Sequence, residues 1–407
     1  MEKYSEHFLL DQEEAKKYAV DVVHYFEGTE SLNCQEIGDG NINYVFQVQD
    51  LKTGKSLILK QADIHLRSSG RLLDLDHNRI EARILQLEGQ LTPDFVPRVY
   101  HYDPVMCVIA MEDVSQFKNM RKELSHHHIF RDFADQITDF FVQSLLPTTD
   151  LVMDRHDKKR QAALFINPDL CEITEDLVLS EPYNNWRNRN IIFPGNEGFV
   201  EETLYHDEAL HREAAKLRYE FMNHAQALLH GDLHTGSIFI NDTGLKVLDP
   251  EFAFYGPMGY DIGNVIGNLF FALTNAVFTD PDEAFECWIS SAIEQTIDMT
   301  KEKLELAYGR DVSFDLYREP GFRQFWLHGV LADALGYTGT EMIRRVVGDS
   351  KVSEVERVTN PVQRIPLERT LITMGVNLIK KRNEYSEGAQ VMRDFDRVVK
   401  LIKAQEC

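Results

Sequence analysis

Cysteine, basic charge and long apolar runs are what this chain has little of. Its five cysteines, Cys34, Cys107, Cys171, Cys287 and Cys407, are widely scattered with no C-x-x-C pair; they give no disulfide framework and read as the reduced residues of a cytoplasmic protein. Lysine and arginine number 43 against 66 aspartates and glutamates, a net charge of -23. So large an acidic surplus repels polyphosphate backbones and anionic lipid surfaces, which makes nucleic acid and membrane poor partners. The amino terminus holds no apolar run long enough for a signal peptide, and no later segment is expected to approach a membrane span. Internal repeats and low-complexity linkers are missing as well.

What is present suits a two-lobed globular protein: 407 residues, 43% of them apolar and 27% charged, enough to build a sizeable core. Residues 12–25 form an acid-rich amphipathic helix candidate, after which the period turns strand-like near Leu32. CQEIGDGNINYVFQVQD, LKTGK and SLILKQA then read as strands separated by glycine turns, an antiparallel sheet. HNRIEARILQLEGQ returns to helical spacing at Ile80, Ile84 and Leu87, and VPRVYHYDPVMCVIAMEDV gives two strands split by an Asp-Pro turn. Beyond Val114 the chain is mostly helical, starting with IFRDFADQITDFFVQSLL; GFRQFWLHGVLADAL and the segment around GTEMIRRVV follow as further helices. The fold class is therefore α+β, with a small antiparallel-sheet lobe over residues 1–114 and a larger, mostly helical lobe over 115–407. The stretch LSEPYNNWRNRNIIFPGNEGF reads as a long loop, either a lid or a surface excursion.

The most informative stretch is LLHGDLHTGSIFINDTGLKVLDPEFAFYGPMGYDIGN. Two short strands around Asn241-Asp242-Thr243-Gly244 form a hairpin, so Asp232 before it and Asp249 after it are expected at the same end. One carboxylate beside a nucleophile and a D-x-E pair beside a divalent cation is what phosphoryl transfer requires. Hard oxygen donors suit Mg²⁺, which accounts for Asp249 and Glu251 as a pair. In the small lobe, Gly38 and Gly40 of GDGNIN would let backbone approach phosphates; alone, this is an ordinary hairpin turn.

HGDLHTGSIF followed by DPEFAFYGPMGYDIGN resembles the protein-kinase-like small-molecule kinases, among them aminoglycoside phosphotransferases and choline kinases. With GDGNIN and GTEMIRR in the same order, the chain is more similar still to the methylthioribose kinase family, over landmarks from Gly38 to Arg345. The resemblance implies a bilobal protein-kinase-like fold, a homodimer, and transfer of the ATP γ-phosphate to the 1-hydroxyl of 5-methylthioribose in methionine salvage. It implies Asp232 as catalytic residue and acceptor contact, Asp249 and Glu251 as Mg²⁺ ligands, and Arg344 and Arg345 at the sugar. For ATP it implies Gly38, Gly40 and Asn43 in the phosphate loop, Lys60 on the phosphates with Glu81 to hold it, and the backbone of Glu112, Asp113 and Val114 as the hinge for adenine. Asn43 stands where a protein kinase has the loop's third glycine, Ser237 where many relatives have asparagine, and Asp249-Pro250-Glu251 where protein kinases have D-F-G.

Adjacent arginines on a regular helix diverge, so both reach one substrate only where the helix ends or bends; Gly339 and Thr340 suggest a helix start capped by Thr340. His126, His127 and His128 read as a solvated helix start, since consecutive residues cannot grip one metal as an i, i+4 pair does. His230 is expected to brace its loop, with His234 also outside the chemistry, and Asp261 either supports that loop or caps a helix. A kinase for choline, homoserine or an aminoglycoside stays open, as does an inactive nucleotide-binding scaffold.

Overall fold

The computed structural model describes residues 2–37, 43–63 and 75–405, and these separate into two compact units. The first comprises Met1–Phe117 together with Lys246–Ala253. Helix α1 (Gln12–Asp21) opens on Asp11, whose side chain accepts the Glu14 N–H, and its Glu13 and Glu14 suit the positive end of the helix dipole. Strands β1 (Leu32–Glu36), β2 (Tyr44–Asp50) and β3 (Ser56–Gln61) precede helix α2 (Asp76–Leu91), and β4 (Val99–Asp103) and β5 (Val108–Glu112) follow it. The sheet runs β1-β2-β3-β5-β4, antiparallel throughout, with Lys60 opposite Val45 on one side and Ile109 on the other. Phe46, Val48, Leu57, Leu59, Val108 and Ala110 form its core with Tyr18 and Ala19 of α1. Gly38 and Gly40 lie outside the described residues.

The second unit comprises Lys118–Leu245 and Phe254–Cys407. Its elements begin with β6 (Lys118–Asn119), α3 (Met120–Leu124), α4 (Phe133–Leu145), α5 (Arg155–Leu164), α6 (Pro168–Leu177), α7 (Glu181–Asn184), α8 (Glu197–Val200) and α9 (Glu208–Asn223). Strands β7 (Ala227–Leu229), β8 (Ile238–Asn241) and β10 (Phe254–Gly256) come next, with the first two residues of β9 (Gly244–Val247). The β8–β9 turn is closed by Asn241, whose side-chain oxygen accepts the Thr243 and Gly244 N–H groups, an Asx turn. Helices α10 (Gly259–Thr279), α11 (Glu283–Asp311), α12 (Pro320–Val347), α13 (Ser353–Glu356), α14 (Pro361–Lys381) and α15 (Gly388–Gln405) complete the unit.

The backbones of α10 and α12 lie unusually close. A methyl group on Gly263 would stand 2.5 Å from the Ala334 carbonyl and 2.7 Å from the Thr338 nitrogen, and Gly259 and Gly267 face the same helix. Gly339 of α12 does the same against α14, where a Cβ would meet the Gly375 carbonyl at 2.4 Å. This corrects two expectations. Residues 320–347 are one continuous helix: Gly339 is there for close packing, and the Thr340 hydroxyl donates to the Tyr337 carbonyl instead of capping a start. Helix α10 is also long and apolar enough to cross a membrane, whereas no such segment was expected; most of it is buried inside the protein, as befits a core helix.

The long loop after α7 is tied down along its length. Glu181 accepts the Arg187 and Arg189 N–H groups, the Ile191 N–H donates to the carbonyl of Val347 at the end of α12, and Arg364 of α14 lies over the Phe193 ring. The three histidines follow α3, not start a helix, and two of them have separate neighbours: His127 stacks on Phe285, and His128 pairs with Glu123. Among the described residues no cluster of His, Cys, Asp and Glu is arranged to grip a metal alone.

Candidate active site

Two ionic clusters hold most of the residues singled out above, one in each unit. In the first unit β3 presents Lys60, buried, with Nζ 2.6 Å from Glu81 Oε1 and 2.6 Å from Asp249 Oδ1. Glu81 comes from α2, whose buried face carries an acid among Ile80, Ile84 and Leu85. An ionisable residue at such a position costs too much to be incidental unless paired. Burial alone would favour neutral Lys60, but Asp249, Glu81 and Glu251 outweigh it and raise the ammonium pKa, so the lysine is a fixed cation. Burial also pushes the Glu81 carboxyl up, against the pull of Lys60.

Asp249 adopts φ +63°, the left-handed region that few side chains occupy. Aspartate enters this region more readily than most residues, and the side chain of this one is paired with Lys60. Asn43 is buried, and its Nδ2 donates to Glu251 Oε2 at 3.2 Å while its Oδ1 lies 3.4 Å from His77 Nε2. Its side chain thus serves the D-P-E acid, a contact the glycine-loop reading did not foresee. Glu112 ends β5 and accepts the Arg98 N–H, Asp113 accepts from Gln47 and the Ser115 N–H, and the Val114 carbonyl accepts the Phe117 N–H.

In the second unit the loop after β7 is set by buried hydrogen bonds. The N–H groups of His230 and Gly231 donate to the two carboxylate oxygens of Asp261 at 2.7 and 3.0 Å. Asp261 therefore braces the loop from inside α10 and is not that helix's cap. Gly231 takes φ +85°, where a side chain would be strained, and His230 Nδ1 accepts the Asp232 N–H. His234 Nδ1 accepts the Ser237 N–H at 3.1 Å. That places the proton of the neutral ring on Nε2, which lies 3.5 Å from Asp232 Oδ2. Burial brings the His234 pKa down to about 4, against the pull of Asp232. The Ser237 hydroxyl donates to the Asp232 carbonyl, so it is already engaged within the loop.

Asp232 Oδ1 lies 3.7 Å from Arg344 Nη2 and 4.0 Å from Arg345 Nη2. Burial works to raise its carboxyl pKa, and His234, Arg345 and Arg344 outweigh this and hold it below the ordinary value. Asp232 is thus a carboxylate at neutral pH, with 29% of its side chain still exposed. Both arginines also pair with Glu341, one turn earlier on α12. Glu341, with its partner Asn268 on α10, was not foreseen as part of a site. The i, i+3 and i, i+4 spacing of E-M-I-R-R was the available signal.

A carboxylate steadied in a histidine-flanked loop, and a buried lysine held by two acids, are the equipment of a phosphoryl-transferring enzyme. Residues 173–286 match a family described as the phosphotransferase enzyme family. The fold is that of the kinase-like proteins: choline kinase from Cryptosporidium parvum Iowa II aligns at a TM-score of 0.50 and 13% identity over 92% of this chain and 100% of that one. More specific are the curated relatives. Methylthioribose kinase of Geobacillus sp. (strain WCH70) is 35% identical over 392 residues, covering 96% of each chain. That of Citrobacter koseri is 37% identical over 354 residues, 86% of this chain and 88% of its own. The chain belongs to the methylthioribose kinase family.

Proposed function

We propose that the protein transfers the γ-phosphate of ATP to the 1-hydroxyl of 5-methylthioribose, giving 5-methylthioribose 1-phosphate and ADP, in methionine salvage. The observation that carries this reading is the pairing of an ionised Asp232 with two guanidiniums within 4.0 Å of one carboxylate oxygen. In this reading Asp232 orients the sugar hydroxyl and accepts its proton as the hydroxyl oxygen bonds to the γ-phosphorus and the bridging oxygen leaves with ADP. Arg344 and Arg345 bind ribose hydroxyls and offset the charge that develops during transfer.

Lys60 neutralises phosphate charge, oriented by Glu81, while Gly38, Gly40 and Asn43 form the phosphate loop and Glu112, Asp113 and Val114 the adenine hinge. Asp249 and Glu251 are the residues that would hold Mg²⁺, whose chemistry is to neutralise the phosphate oxygens. Two carboxylates fit its habit of taking one or two protein acids besides phosphates and water. The nucleotide lobe is assigned to residues 1–114 and the catalytic and sugar-binding lobe to 115–407. A homodimer in the cytoplasm completes the reading.

An acceptor cluster with equal numbers of arginines and acids suits a neutral sugar, whereas choline or a polycationic aminoglycoside calls for surplus acid. An ADP-release screen tests this directly, with 5-methylthioribose beside choline, homoserine and aminoglycosides. Methylthioribose is expected to give the highest kcat/KM; preference for another acceptor would overturn the assignment, and no turnover with any would favour an inactive scaffold.

A further inference from the structure

We propose that Glu341 is the positioning residue that turns Arg344 and Arg345 toward a single acceptor and keeps them off Asp232. The proposal rests on the reading of that arginine pair as the sugar site. Arg344 and Arg345 sit in the last turn of α12, which continues to Val347. Neighbours on a helix point about 100° apart, so nothing in the backbone makes the two side chains converge. Glu341 lies three residues before one and four before the other, the two spacings that share a helix face.

Its two oxygens are divided between them. Oε2 accepts from Arg344 Nε, and Oε1 accepts from Arg345 Nε at 3.0 Å. Each guanidinium is thus gripped at its inner edge, and the outer Nη2 is the atom nearest Asp232, at 3.7 and 4.0 Å. Those separations exceed a direct hydrogen bond of about 2.7–3.2 Å. The arginines therefore face the carboxylate without occupying it.

Glu341 is itself immobilised. It is fully buried, Oε1 also accepts from Asn268 Nδ2 at 3.2 Å, and Gly267 leaves room for it, since a Cβ there would stand 3.2 Å from Glu341 Cγ. Asn268 Oδ1 in turn accepts from Arg121 and from the Thr235 hydroxyl of the catalytic loop. Remove the Glu341 charge, and two buried guanidiniums have Asp232 as their nearest carboxylate. They then close onto the group that has to take the hydroxyl proton.

Glu341→Gln is the test, measured beside Arg344→Lys and Arg345→Lys in folded, full-length protein. Displacing such a group is expected to lower kcat/KM for methylthioribose roughly ten- to a hundredfold, with the KM for ATP unchanged within about a factor of two. The acid limb of the kcat/KM profile should also move to lower pH. Arg345 and Arg344 lower the Asp232 pKa, as does His234 when protonated, while Glu341 and Asp261 bring like charge; losing the Glu341 charge therefore moves the limb by itself, and only displacement of the arginines also lowers the plateau of kcat/KM. If the two lysine variants keep wild-type kcat/KM, the sugar-site reading itself fails. If they lose activity while Glu341→Gln leaves the plateau kcat/KM unchanged, only the positioning role is overturned, whether or not the acid limb moves. Should Glu341→Gln not fold, Glu341→Asp retains the charge on an arm too short to serve both arginines. Its expected loss in methylthioribose kcat/KM is roughly fivefold or more by the same misplacement, and wild-type kinetics would overturn the proposal.

Discussion

In the first unit one ammonium, Lys60, stands among Glu81, Asp249 and Glu251; in the second, Arg344 and Arg345 face Asp232 and Glu341 in equal number. Both clusters are largely buried, yet they carry different balances of charge. Acid is in surplus among the named groups of the first, an arrangement that suits a hard dication and the phosphates it accompanies. The second is balanced internally and suits an uncharged partner. Burial thus fixes geometry in both, and the local count of charges distinguishes the kinds of ligand.

The largest effect expected from breaking this contrast is at Asp232. Asp232→Asn keeps the shape of the side chain but removes the charge that balances the arginines and accepts a proton. We expect kcat to fall on the order of a hundred- to ten-thousandfold, with ATP binding retained in a calorimetric titration; a near-wild-type kcat would take Asp232 out of the chemistry. Asp249→Ala should act on the other cluster, weakening Mg-ATP far more than metal-free nucleotide. Titrations with and without Mg²⁺ decide this, and equal losses in both would make the residue structural.

Gly263→Ala probes the scaffold beneath the second cluster. Its methyl group would stand 2.5 Å from a backbone oxygen of α12, so the helix carrying both arginines has to shift. Overpacking of this kind costs about 1–3 kcal/mol, readable as a lower Tm, and should be accompanied by a raised KM for methylthioribose more than for ATP. The smallest expected effect is one of pH. Because the Asp232 pKa is lowered and that of His234 is brought to about 4, neither group changes charge between pH 5 and 8. The Asp232-dependent loss of kcat/KM should appear only on the acid side of that window; a dependence within it that vanishes in Asp232→Asn would contradict the described electrostatics.

Much of the first unit was legible in the sequence, because its strands alternate with glycine turns and α2 keeps a helical period. The HGDLH and DPE stretches were each legible as a pattern, since each needs particular residue types at short range. What escaped the reading is tertiary. Gly339 and Thr340 look like a break when judged by local preference, and only contact with Gly375 explains a glycine inside a continuous helix. Gly259, Gly263 and Gly267, with Asn264 and Asn268, disguised α10 as too polar for a long apolar helix. The division of Glu341 between two arginines depends on side-chain directions that spacing alone does not specify. The left-handed backbone at Asp249 left no mark at all, since aspartate occurs in every kind of turn.

The segment Lys246–Ala253 belongs to the first unit although 128 residues of the second unit, Lys118–Leu245, come before it. The order of synthesis therefore differs from the order of completion. At typical elongation rates of about 5–20 residues per second, the sheet carrying Lys60 waits roughly 6–26 s for the aspartate that pairs with its lysine. In that interval the nascent chain holds a buried-type lysine and Glu81 without their third partner. The part of the protein made first is thus among the last to be finished, and a fragment cut after Phe117 would lack the piece that completes it.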